Sequence, residues 1–476
     1  MRIAGFRKIM RIRRIKFRPI AIVVASFVLV IFAGAGLLSI PAAVKGGKSD
    51  FLTAIFTATS ATCVTGHTVV DPYSHFTGFG QAVILLLIQI GGLGFITIIS
   101  LFMMYMKKDV TLSDRKLAMQ SAGGLKMKGL KELLKYIFIG TFSLEFLGAV
   151  LLCISFIPEY GWGLGIWQAV FTSVSSFCNA GFSLTGAGSD YSLSGHNSDP
   201  LFMIVVMMLI VIGGLGFYVW YDIIKNRFRP SRYSLHTKVV LTTTGGILLL
   251  GWALFMAFEW NNKGTIGDMN AVDKVLNSLF FAVTPRTAGH YTVDMNYFSD
   301  GAYLLTNMLM FIGGSPGSTA GGVKITTFAV LLMTMIAACR REKQVRIFKR
   351  GVEPDDVINS VTVTMLYVLA IIISVICGID GGTPYQSDYG EWSTVVAGEQ
   401  VPNVIGFKNV LFEVISAISA TGLTMGITAE LSVVSKLILI LLMFFGRVGG
   451  YTLILVFSET RRPPAITRLP EHIMIG

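Results

Sequence analysis

The feature that most limits what this chain can fold into is a succession of long apolar blocks separated by polar stretches. The blocks lie at roughly 19–40, 81–106, 133–157, 201–221, 237–258, 303–338, 357–379 and 433–457. Each is about 20 residues or longer, enough for a helix to cross a hydrocarbon core about 30 Å thick. Inside lipid a backbone has to satisfy its own hydrogen bonds, so open segments of this kind fold as helices. With 53% hydrophobic residues and 14% charged ones, the 476-residue chain is not an ordinary soluble domain. The expectation is an all-α integral membrane protein with eight transmembrane helices. The first block lacks a clean small-residue cleavage site and is read as a retained helix, not a secretory signal.

Charge placement sets the expected orientation. Of the 39 Lys and Arg residues, 30 fall on one side: 8 in residues 1–18, 8 in 107–135, 5 in 225–238, 6 in 340–350 and 3 in 461–468. Loops rich in positive charge stay in the cytoplasm, so both termini are expected inside. These charges hug helix ends, which favours the lipid membrane over nucleic acid as the partner of a basic chain. The five cysteines (Cys63, Cys153, Cys178, Cys339, Cys377) have no paired spacing, and the six histidines are dispersed. Neither a disulfide framework nor a zinc site follows.

Each outer loop holds a second apolar segment too short to span: "FLTAIFTATSATCVTGH" (51–67), "WQAVFTSVSSFCNAGF" (167–182), "KVLNSLFFAVTPRTAGH" (274–290) and "KNVLFEVISAISATGL" (408–423). They align on Gly66, Gly181, Gly289 and Gly422. Ten residues before each glycine stand Phe56, Phe171, Leu279 and Phe412, and immediately before each stand Thr65, Ala180, Ala288 and Thr421. A second glycine motif follows every time: "IGGLGF" (90–95), "IGGLGF" (212–217), "IGGSPG" (312–317) and "FGRVGG" (445–450). The unit is therefore helix, short re-entrant helix, turn and helix, in four tandem copies. Each copy crosses twice, so all four have one orientation and are expected around a pseudo-fourfold axis. Irregular backbone at membrane depth survives only where protein buries it or water lines it. Four converging turns thus point to a hydrated pathway.

Glycine lets carbonyls turn inward, and rings of carbonyls can replace the hydration shell of a monovalent cation. The C-terminal end of each short helix adds partial negative charge. Only Arg286 is charged close to a turn, and its side chain is expected behind the turn, braced against protein. Glu145 and Glu413 are expected to bind a neighbouring helix or backbone amides. His67 and His290 follow their glycines at the outer mouth and are expected to be surface-exposed.

The third copy carries "GGSPGSTAGG" (313–322) inside its last apolar block. "GSTAGGVKIT" lacks the glycine–lysine–hydroxyl order of a phosphate-binding loop. Pro316 and five glycines each oppose helix by about 1–3 kcal/mol, so an unwound loop is expected beneath the turns. Such a loop can obstruct the path in one state and withdraw in another. The gate residues are Gly313, Gly314, Ser315, Pro316, Gly317, Ser318, Thr319, Ala320, Gly321 and Gly322, with the intramembrane cations Lys324 and Arg447. Arg447 is expected to reach beneath the turns and anchor the loop through carbonyls. A secondary transporter of a small organic solute remains an alternative, although those often use inverted repeats and these are parallel. No nucleophile–base or metal constellation points to an enzyme.

With four such repeats, "PRTAGH", "GGSPGSTAGG" and "FGRVGG", the whole chain resembles the superfamily of K+ transporters that includes TrkH, plant HKT and KtrB. Eight spans make it most similar to the KtrB type. The resemblance implies a K+ filter made by Thr62, Cys63, Val64, Thr65 and Gly66; by Cys178, Asn179, Ala180 and Gly181; by Thr287, Ala288 and Gly289; and by Ala420, Thr421 and Gly422. It implies that the broken helix is the intramembrane gate, and that Arg447 matches the family's arginine in the last helix. It further implies a bacterial cell membrane location, a homodimer, and a cytosolic KtrA-like RCK ring through which ATP or ADP acts. Na+ dependence is implied as well, and a Na+-selective or K+/Na+ symporting member is the alternative. Histidines 67 and 290 stand where the family often has an apolar residue, and glycine in all four turns favours K+. The expected organisation is a basic cytoplasmic N-terminus (1–18), repeat 1 (19–106), linker (107–132), repeat 2 (133–221), linker (222–236), repeat 3 (237–338), linker (339–356), repeat 4 (357–457) and a cytoplasmic C-terminus (458–476).

Overall fold

A computed structural model describes residues 19–47, 50–94, 130–185, 192–342, 344–377, 393–396, 399–402 and 405–449. The readings made for 1–18, 107–129 and 458–476 lie outside these residues, as do the ends of the first and last glycine-motif blocks.

The described chain is almost wholly helical. Its first quarter comprises α1 (Pro19–Leu38), α2 (Phe51–Cys63) and α3 (Gly78–Leu93). Asp50 starts α2 by accepting the Leu52 amide, and Thr77 starts α3 by accepting the Gly80 amide at 3.3 Å. The second quarter opens with α4 (Leu130–Cys178), a helical run kinked where Pro158 removes a donor and Gly161 adopts φ +78°. Its second arm carries the short segment expected at 167–182, which is helical as far as Cys178. There follow α5 (Pro200–Leu215) and α6 (Phe217–Lys225). The third quarter has α7 (Leu235–Glu259), α8 (Ala271–Val283), α9 (Asp300–Phe311), a loop over 312–324, and α10 (Ile325–Cys339). The fourth has α11 (Pro354–Cys377), α12 (Phe407–Ser419) and α13 (Val433–Val448). Two small antiparallel hairpins join helices, β1 (Arg346–Ile347) with β2 (Arg350–Gly351), and β3 (Ser393–Val396) with β4 (Glu399–Pro402).

Of the eight expected spans the sequence marks the last one of the third copy as interrupted, and the structure adds a second break. Among the described residues, α4, α7 and α11 are long and apolar enough to cross a membrane as single helices, while α5 and α6 meet at 90°. The bend falls on Gly216, whose φ of +96° lies outside the helical region, so the block at 201–221 is not one rod. The matching glycines behave alike. Gly94 (φ +80°) ends α3 and Gly449 (φ +87°) ends α13. A positive-φ glycine thus ends the helix that carries the glycine pair in the first, second and fourth copies, and in the third a loop over 312–324 follows α9.

Leu29, Phe146, Leu249, Ile376 and Leu441 project outward and exposed, an apolar girdle that water would not tolerate and lipid does. Since lipid is as apolar as leucine, packing inside depends on close van der Waals fit rather than on hydrophobic burial. One buried cluster includes Phe156, Phe171, Phe177 and Phe202, and a second includes Phe255, Phe281, Phe412 and Met443. The quarters pack in cyclic order: α3 on α4, α5 on α8, α9 on α12, and α13 back on α2. That closure brings the ends of the four short helices together.

Candidate ion pathway

The short helices end at Cys63, Cys178, Val283 and Ser419. In three quarters the closing hydrogen bonds are the same. Thr65, Ala180 and Thr421 amides reach back to the carbonyls of Ser60, Ser175 and Ser416 at 2.8, 2.7 and 2.9 Å. Val64, Asn179 and Ala420 amides reach Ala61, Ser176 and Ala417 at 3.1, 3.1 and 3.0 Å. This is the two-bond closure of a helix C-terminus, which requires a left-handed residue. Here that residue is Val64 (φ 57°), Asn179 (φ 59°) or Ala420 (φ 52°). The third quarter carries Pro285 and differs: Ala288 N–H donates to Thr284 at 3.0 Å, but Thr287 still adopts φ 69°. A left-handed β-branched residue is unusual. The sequence places these residues in the turns but does not mark their left-handed conformation, which glycine advertises and Val, Thr and Ala do not.

Two residues later come the four aligned glycines, all with positive φ: Gly66 (+100°), Gly181 (+71°), Gly289 (+74°) and Gly422 (+86°). They form a closed ring. A methyl on Gly66 would stand 2.6 Å from the Ala180 carbonyl oxygen, and one on Gly181 would stand 2.9 Å from that of Ala288. One on Gly289 would strike the Thr421 carbonyl, and one on Gly422 the Thr65 carbonyl. Each glycine therefore abuts the carbonyl that precedes the next glycine, in the order first, second, third, fourth and back to first. The hydroxyls of Thr62, Thr65, Thr287 and Thr421 are buried without a hydrogen-bond partner among the described residues. Above the ring lies a cavity of about 430 Å³ lined by all four glycines together with Thr68, Asp71, Ser183, Thr424 and Thr428.

The second motif packs directly behind the ring. A methyl on Gly91, Gly213 or Gly446 would strike the carbonyl of Thr62, Phe177 or Ile418, each four residues before its quarter's ring glycine. Gly313 of the third quarter meets Gly321 of its own loop instead. The loop is mostly buried and lies under the ring. Thr319 donates its hydroxyl to the Phe177 carbonyl at 3.3 Å, and the Ser315 amide donates to Gly214 at 3.1 Å. On the other side a methyl on Gly321 would stand 2.8 Å from the Ser419 carbonyl oxygen. Lys324 folds back on the loop, its Nζ 2.9 Å from the Ala320 carbonyl. The Arg447 guanidinium donates to Thr319 of the loop, to Gly91, and to Gly92 at 3.3 Å. It thus ties the loop to the first quarter through carbonyls.

The other charged residues are also accounted for. Glu145 accepts from Gln89 of α3 at 3.0 Å and lies 3.8 Å from the Cys178 sulfur. Glu413 accepts from His67, Thr424, Thr428 and the Met425 amide. Arg286 is buried, yet its Nε has no hydrogen-bond partner among the described residues. The expected exposure of His67 and His290 is wrong. They are 1% and 0% exposed, because each imidazole ring turns inward to a hydrogen-bonding partner on another short helix, Glu413 or Ser176.

Against known proteins, residues 14–464 match the family of cation transport proteins termed TrkH. The chain is 37% identical to the potassium/sodium uptake protein NtpJ of Enterococcus hirae, covering 98% of this chain and 99% of that one. It is also 37% identical to the Ktr system potassium uptake protein B of Bacillus subtilis, covering 95% of each. The solved structure of the potassium transporter TrkH from Vibrio parahaemolyticus superposes with a TM-score of 0.70 at 18% identity, covering 95% of this chain and 87% of that one.

Proposed function

The chain belongs to the TrkH family of cation transport proteins as a KtrB-type member, a transporter and not an enzyme, and from that premise we propose that it conducts K+ into the cell. The four helix–turn–helix repeats make one pore, and the turns 62–66, 178–181, 287–289 and 420–422 make its filter. A K+ ion enters the outer cavity, exchanges water for main-chain oxygens at the turns, and is held by the negative ends of four short helices. No side-chain charge faces it there, which suits a monovalent ion; Ca2+ would call for several carboxylates.

The observation that carries this reading is the closed cycle of contacts among Gly66, Gly181, Gly289 and Gly422. The loop 313–322 acts as the gate. It crosses beneath the turns from the second quarter to the fourth, so an ion leaving the filter meets it first. Lys324 and Arg447 add a positive barrier and hold the loop closed, and withdrawal of the loop opens the path. A homodimer, with a cytosolic nucleotide-binding RCK-type ring docked on the basic inner loops, completes the assembly, and both termini face the cytoplasm. The Enterococcus relative is named for sodium as well as potassium, which supports a second reading in which Na+ is also carried or promotes K+ uptake.

Uptake of radiolabelled Rb+ and Na+ into proteoliposomes tests the reading. Rb+ entry that unlabelled K+ suppresses, and Na+ does not, is the expected outcome. Transport of an organic solute without alkali-cation flux would replace it.

A further inference from the structure

The residues immediately after the four ring glycines are His67, Phe182, His290 and Leu423, and all four are buried. Two of them can hydrogen-bond, and both do so across a boundary between quarters. The first, His67, places Nε2 2.8 Å from Glu413 Oε2 on the short helix of the fourth quarter. The second, His290, places Nε2 3.2 Å from the Ser176 hydroxyl on the short helix of the second. In each histidine the other ring nitrogen has no partner among the described residues, so the cross-quarter bond is the polar contact that orients the ring.

The two bonds differ in strength. Ser176 offers a neutral hydroxyl. Glu413 is a carboxylate 2% exposed that also accepts from Thr424 and Thr428, and from the Met425 amide at 3.2 Å. Thr424 and Thr428 line the outer cavity. One carboxylate therefore fixes the first quarter's turn, the start of the fourth quarter's exit segment and the wall of the cavity. Bonds to a charged group are the strong ones, and replacing either partner would leave a buried group unsatisfied.

We propose that His67 is a specificity-determining positioning residue: through Glu413 it fixes the spacing between the first and fourth filter turns and so keeps the ring from contracting around an ion smaller than K+. The proposal rests on the potassium reading given above. A dehydrated Na+ needs shorter oxygen contacts, and a ring free to close at this seam would supply them. The His290 ring, bonded to the neutral Ser176 hydroxyl, holds the opposite seam more weakly.

The test is K+ and Na+ binding to the full-length protein by isothermal titration, with Rb+ and Na+ uptake into liposomes as a second readout. His67→Leu places at the first turn the side chain that Leu423 places at the fourth, and His67→Phe matches Phe182; either removes the donor. Both variants should lower the K+/Na+ affinity ratio by about tenfold, equivalent to about 1.4 kcal/mol. His67→Gln, which restores an N–H donor, should recover most of the loss. A merely structural role would lower thermal stability without moving the ratio. If the wild-type protein binds neither ion and moves none, the potassium reading itself fails. If the wild type selects K+ and both apolar variants keep the same ratio, only the role of His67 is overturned.

Discussion

Replacing Arg447 by alanine tests the gate at its most exposed joint. The guanidinium bonds to Thr319 on the loop and to Gly91 and Gly92 on the first quarter's helix. Of these contacts only the one to Thr319 holds the loop itself. A hydrogen bond to a charged group contributes about 1.5–3 kcal/mol. Losing it should raise the ratio of open to closed loops about 10- to 150-fold, at 1.4 kcal/mol per factor of ten. Alanine also removes the packing of the aliphatic stem, so Arg447→Gln, which keeps most of that stem, is the companion variant. Rb+ efflux from proteoliposomes, measured without any regulatory partner, should rise at least tenfold for both. Monodisperse protein that retains K+ binding and shows unchanged or lower efflux would refute the claim that this arginine holds the gate shut.

Deleting residues 314–320 should also raise basal flux, read as the initial rate of Rb+ entry, and unchanged flux would remove the loop from the pathway. Gly181→Ala places a methyl 2.9 Å from the Ala288 oxygen at φ +71°; left-handed strain of about 1–2 kcal/mol plus overpacking of about 1–3 kcal/mol should weaken K+ affinity at least tenfold by titration. Gly216→Ala, at φ +96° and 2.9 Å from the Ser315 hydroxyl, should loosen the seat of the loop. Its expected signature is a lower melting temperature together with higher basal flux.

Much of this arrangement was legible because glycine is diagnostic. Gly66, Gly181, Gly289 and Gly422 are needed for backbone angles and close approach, so their spacing survives even where the surrounding side chains differ. The left-handed Val64, Thr287 and Ala420 were not legible, since ring closure imposes a conformation that their own preferences oppose, whereas Asn179 tolerates it. The 90° bend at Gly216 was hidden for a related reason: glycines in an apolar block are compatible with a continuous helix, as Gly213 and Gly214 just before it show. The intramembrane cost of Arg447 marked it as functional and its bond to a loop carbonyl was expected, but its bonds to Gly91 and Gly92 of the first quarter were not, since no local pattern reveals them. The burial of His67 was not legible because its partner, Glu413, stands 346 positions away. The loop 313–322 was readable from composition alone, because ten positions with five glycines and a proline cannot continue a helix.

The most direct test of the central claim is a crystal structure of the protein grown with Rb+ or Tl+, using anomalous scattering to locate the ion. The account predicts a peak on the axis within the ring of Gly66, Gly181, Gly289 and Gly422, within contact of main-chain oxygens from all four turns. A peak bound elsewhere in the protein, with that ring empty, would contradict it.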